Sequence, residues 1–183
     1  DGTLVNDAKE ITGQNQLALL QYQQAGGRVI LASGRLPLSL RWIGEELQLN
    51  PYYLALNGAV AGQGDTCLAK HAFRQQAVLD CLEFCQQRSL YCHIYTTEGI
   101  WYDRENYWNE NWPERNLVWL EGQQRDPERI GMARTLCLAR QVADLAEAVQ
   151  AEKPLIYKMA VFSQQTLAGQ WEELAAVPGL NVT

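Results

Sequence analysis

The chain opens on Asp1-Gly2-Thr3-Leu4-Val5, a carboxylate followed by two small residues, and such a group can move a proton or face a cation. Further on, "ILASGR" places Ser33, Gly34 and Arg35 directly after an apolar run, and "LALNGAV" places Asn57 and Gly58 after a second one. A serine hydroxyl next to a glycine, whose backbone N–H a ligand can approach closely, suits a phosphate oxygen. Ser-Gly after a strand also makes an ordinary turn, and Asn-Gly is a common turn pair. Each motif taken singly therefore leaves both readings open.

These residues need elements to hold them. Thr12 is a plausible N-cap for a helix through "GQNQLALLQYQQAGG", where Leu17, Leu20 and Ala25 recur at helical spacing and Gly26-Gly27 stop the run. "RVILAS", residues 28–33, reads as a strand covered on both faces, and Pro37 fits the first turn of a helix carrying Ile43 and Leu47 inward. "YYLAL", residues 52–56, is another buried strand, so Ser33-Gly34 and Asn57 both fall at strand ends of a parallel α/β sheet.

Beyond Ala61 the texture becomes α+β. "VAGQGDTCLAKHAF" reads as two short strands around a Gly-rich turn, "QQAVLDCLEFCQQRS" as an amphipathic helix, and "LYCHIYT" and "IWYD" as strands joined across "TEG". An aromatic stretch follows, then a helix around "RQVADLAEAVQAE", the strand "LIYKMAVF", the helix "QQTLAGQWEELAAV" closed by Pro178-Gly179, and a strand starting at "LNVT". The expected architecture is a partial Rossmann-like core in residues 1–60 and an α+β unit in 61–183. A chain that opens inside a motif and stops inside a strand is expected to be a fragment.

With 47% hydrophobic residues, a net charge of −6 and a pI near 5.0, the sequence offers no basic field for nucleic acid or an anionic membrane surface. No apolar run approaches the ~20 residues needed to span a bilayer, and the first residues given lack the basic-then-apolar order of a secretory signal. A small-molecule partner and a cytoplasmic location are the expectations, and the residues set no oligomeric state. The five cysteines have no CxxC spacing and read as reduced thiols. A metal site from Cys81 and Cys85 with His71 or His93 can be drawn, but buried thiols and packing histidines are the preferred reading. Trp101, Tyr102, Tyr107, Trp108, Trp112 and Trp119 either stack on a ligand or fill a small core or an oligomer contact, and packing is again preferred.

Taken together, "DGTLV", "ILASGR" and "LALNGAV" resemble, in order and spacing, the haloacid dehalogenase-like phosphohydrolases, nearest their Cof-type branch, whose cap is inserted after the third core strand. "IYKMAVF" is similar to that branch's cap strand and "PGLNVT" to the segment before the return to the core. The resemblance makes Asp1 the second aspartate of Asp-x-Asp. The first, the nucleophile, would stand two positions upstream, and a lysine and an acidic Gly-Asp motif would follow Thr183. Lys158 is not that lysine and reads as structural or exposed.

The resemblance implies a magnesium-dependent phosphatase acting on a small phosphorylated metabolite through an aspartyl-phosphate, with a phosphomutase or a non-catalytic phosphometabolite binder as alternatives. Asp1 would be the general acid and base and would ligate Mg2+ through its backbone carbonyl. Ser33 and Gly34 would hold phosphoryl oxygens, with Thr3 either beside them or closing the turn. Arg35 would bind substrate or pair with a core carboxylate, and Asn57 would contact substrate or serve the turn. Without the upstream aspartate, these 183 residues are expected to be inactive by themselves.

Overall fold

Thr12 accepts a hydrogen bond from the Asn15 backbone N–H at 3.3 Å and starts helix α1, Gly13–Gln24. The computed structural model that shows this describes residues 3–97, 99–105, 116–136, 138–163 and 169–182. Leu19 and Leu20 of α1 lean on the core, whereas Leu17 stays 56% exposed and no residue of the helix is fully buried.

The apolar run after Gly27 forms β2, Ile30–Ala32, which pairs in parallel with β3, Tyr52–Ala55. Helix α2, Pro37–Glu46, makes the crossover, with Pro37 in its first turn and Ile43 and the following Leu47 buried as the spacing anticipates. A hairpin, β4 (Val60–Gln63) and β5 (Thr66–Lys70), adds antiparallel strands in the order β2-β3-β4-β5. By pairing, residues 60–70 therefore belong to the first sheet.

The second sheet holds β6 (Tyr91–Tyr95), β7 (Gly99–Tyr102), β9 (Leu138–Gln141) and β10 (Lys158–Phe162) in the order β10-β6-β7-β9. Strand alternation divides its residues. Cys92, Ile94, Met159 and Val161 pack against helices α3, Gln75–Gln87, and α5, Leu145–Glu152. Tyr91, Tyr95, Ile100 and Tyr102 instead join one apolar cluster with Leu31, Leu36, Tyr53 and Leu56 of the first sheet's side. The α+β unit thus turns an aromatic face toward the parallel unit.

A second contact between the units forms on α2. Trp42 packs with Leu117, Trp119 and Ala133, the last from helix α4, Pro127–Leu136, and Arg129 of α4 pairs with Glu46. Two-residue strands β1 (Glu10–Ile11) and β8 (Trp119–Leu120) pair in parallel beside it.

The sequence reading needs correction in four places. Strands β2 and β3 are not covered on both faces, since Ile30 is 60% and Leu54 40% exposed. The stretch around "RQVADLAEAVQAE" is not one helix, because Arg140 and Gln141 pair with Trp101 and Tyr102 in the sheet. Its helix begins only after Asp144, whose carboxylate accepts from Glu147 N at 2.8 Å. Helix α4 was not anticipated. Residues 180–182 form no strand, having no strand partner among the described residues, and follow α6, Trp171–Ala175.

Candidate active site

Two loops leave the first sheet at the carboxyl ends of neighbouring parallel strands. The Ser33 N–H still donates to Leu54 O at 2.9 Å, extending the β2–β3 ladder by one residue. Beyond it the loops hold each other: Asn57 N donates to Ser33 O at 3.2 Å and Leu56 N to Arg35 O at 3.0 Å. This is the sheet edge at which open α/β proteins bind ligands. The loop after β2 runs straight into α2, whose N-cap Leu36 makes no side-chain hydrogen bond, so the positive end of that helix lies at the loop's far end.

Within the first loop the Arg35 N–H donates to Ser33 Oγ at 3.3 Å, which fixes the hydroxyl inside the turn. The half-buried Arg35 guanidinium reaches Ser39 Oγ at 3.5 Å, and Ser39, fully buried, donates to the Asn116 carbonyl. Burial lowers the pKa of Arg35.

In the second loop Asn57 adopts a left-handed conformation, φ 59° and ψ 33°, which asparagine tolerates better than most residues. That turn aims its amide at Gly34: a Cβ on Gly34 would lie 2.5 Å from Asn57 Oδ1 and 2.9 Å from Lys158 Nζ. A side chain at Gly34 would have to displace both of these side-chain ends. Lys158 arrives from β10, donates to Gly34 O at 3.0 Å and stands 5.0 Å from the centre of the Tyr95 ring. Three segments far apart in sequence therefore meet at Gly34. Beside them Asn57 and Lys158 open onto a cavity of about 600 Å³ lined also by His71, Phe73, Trp171 and Leu180.

A family model described as haloacid dehalogenase-like hydrolase matches residues 1–163. The chain belongs to the haloacid dehalogenase-like hydrolases. Among curated relatives of this chain, phosphatase YwpJ of Bacillus subtilis (strain 168) is 28% identical over 102 residues, which are 55% of this chain and 36% of that protein. A haloacid dehalogenase-like hydrolase from B. subtilis superposes with a TM-score of 0.75 at 19% identity, covering 96% of this chain and 64% of that one. The subclass IIB sugar phosphatase BT4131 superposes with a TM-score of 0.68 at 18% identity, covering 97% and 60%. These likenesses show the fold: a Rossmann-like parallel core with an α+β cap. The chain spans about a third of that curated relative and under two thirds of those solved chains.

Of the residues singled out in the sequence, Ser33, Gly34, Arg35 and Asn57 are gathered at one edge. Thr3 is exposed on a bend ahead of buried Val5. Asp1 lies outside the described residues, as do Tyr107, Trp108 and Trp112. No group of three or more His, Cys, Asp or Glu among the described residues is placed to hold a metal ion, so magnesium remains an implication of the family and not of this geometry. That includes Cys81 and Cys85, which are buried thiols in the cap core.

The aromatic run divides. Tyr102 is buried in the shared cluster, Trp119 packs on Trp42, and Trp101 lies under the Arg140 guanidinium on the helix-covered side. The cap face toward the core is built instead from Tyr91, His93, Tyr95 and Phe162, with His93 Nε2 2.9 Å from Tyr91 Oη. Lys158, read from the sequence as structural or exposed, is half-buried and bonded to Gly34 O. Its signal was available in the alternation of "KMAVF", which puts a lysine on the same face as Ala160 and Phe162, a face otherwise apolar.

Proposed function

We propose that the protein carrying this chain is a cytoplasmic, magnesium-dependent phosphatase that hydrolyses a small phosphorylated metabolite, a sugar phosphate or a cofactor precursor. The observation that carries this reading is the pair of strand-end loops tied together at Ser33, Gly34 and Asn57. Ser33 Oγ and the Gly34 N–H hold phosphoryl oxygens, Arg35 adds a fixed positive charge, and Asn57 orients the substrate. The carboxylate two positions before Asp1, as the family resemblance implies, attacks phosphorus and forms an aspartyl-phosphate. Asp1 protonates the leaving oxygen, then takes a proton from the water that hydrolyses the intermediate. Magnesium, ligated in part by the Asp1 backbone carbonyl, supplies neutralisation of the phosphoryl charge when bound. The α+β unit that follows the β4–β5 hairpin acts as the cap that keeps bulk water from the reaction.

The sugar phosphatase among the structural neighbours supports the substrate class. The test is phosphate release by the full-length gene product from a panel of phosphorylated sugars and cofactor precursors, with and without magnesium. Magnesium-dependent release from at least one member is expected. A folded, magnesium-supplied protein that releases none across the panel overturns the reading.

A further inference from the structure

Lys158 stands out for its electrostatics. It is half-buried, burial lowers its pKa, and among the described residues no carboxylate pairs with it. Its contacts are one backbone carbonyl and one aromatic ring face, Gly34 O and Tyr95. A desolvated ammonium without a counter-charge is unfavourable unless an anion completes it. An ammonium has three N–H donors, so after the bond to Gly34 O two remain. The register that pairs Lys158 with Tyr95 places the ammonium at the end of β10 above the loop after β2, with Asn57 Oδ1 beside it.

We propose that Lys158 is a substrate-binding residue delivered by the cap, whose ammonium takes a phosphoryl oxygen of the substrate beside Gly34. It is a second cation at this edge besides Arg35, brought by the cap where Arg35 comes from the core. The hydrogen bond to Gly34 O couples cap position to the phosphate loop, so the cap senses whether an anion is present. This rests on the phosphatase reading above and deepens it.

The test uses the full-length gene product with Lys158→Met, Lys158→Gln and Lys158→Arg. It measures KM, kcat and competitive inhibition by inorganic phosphate, with thermal melting as a check on folding. Glutamine keeps a donor for Gly34 O while removing the charge, so it separates a latch from an anion contact and also serves if the methionine variant folds poorly. Loss of a charge-assisted hydrogen bond predicts phosphate inhibition weakened about tenfold or more in both neutral variants, with KM raised in step. Arginine is expected to recover most of it. Unchanged phosphate inhibition in folded Lys158→Gln overturns the proposal, as does a rise in KM with phosphate inhibition untouched. If the wild type turns over no substrate yet binds phosphate in a Lys158-dependent way by calorimetry, the phosphatase reading fails and this one stands. If it neither turns over substrate nor binds phosphate, both fail.

Discussion

At Gly34 the backbone is conformationally ordinary, and what demands glycine is the space taken by Asn57 Oδ1 and Lys158 Nζ. Both obstacles are ends of side chains that can rotate away. Gly34→Ala is therefore expected to cost no more than about 1 kcal/mol of stability, while the displaced amide and ammonium lower kcat/KM by about tenfold or more. Melting curves beside steady-state kinetics check the pair of outcomes, and an unchanged kcat/KM contradicts it. Asn57→Gly isolates the amide in the opposite manner, since glycine takes the left-handed φ of 59° without strain. Its stability should stay within about 0.5 kcal/mol of the parent while KM rises, measurable in the same two assays.

Helix α2 carries the elements' shared burden, because its N-terminus follows the loop after β2 and its outer side receives the cap. Trp42 is 5% exposed and packs on Leu117, Trp119 and Ala133, while Arg129, which pairs with Glu46, also lies 5.3 Å from the Trp119 ring centre. Trp42→Ala is expected to destabilise by roughly 3–5 kcal/mol through the cavity it leaves, read as a lowered urea midpoint; a loss under about 1 kcal/mol would mean this packing contributes little. Elements announced by local chemistry were legible in the sequence. Thr12 caps α1, Pro37 opens α2, and the apolar runs before Ser33 and Asn57 became the paired strands β2 and β3. What stayed hidden depends on remote partners: Arg140 and Gln141 become strand only because β7 lies beside them, and β1 and β8 are two-residue pairings across the two units. The candidate site divides the same way. Ser33, Gly34, Arg35 and Asn57 were readable from the motifs, whereas Lys158 needed the strand register that lays β10 over the loop.

Across the molecule, an acidic balance of −6 coexists with two cations, Arg35 and Lys158, at the strand-end loops. Buried groups of the α+β unit make stability fall at alkaline pH. Hydrogen bonding to Cys85, then burial, pushes the Cys81 thiol up, and burial pushes the Tyr91 phenol up. Both groups hold their protons more tightly folded than unfolded, so their stabilisation is full below the unfolded-state values and is lost as pH rises through the raised ones. Thermal midpoints should be flat from roughly pH 6 to 8 and fall above about pH 9; no fall by about pH 10.5 would contradict this. The most direct test of the site is diffraction from crystals of the full-length protein soaked in inorganic phosphate. A tetrahedral anion within hydrogen-bond distance of Ser33 Oγ and the Gly34 N–H is the predicted result. Phosphate bound elsewhere, with the loop between β2 and α2 making no contact to it, would contradict it.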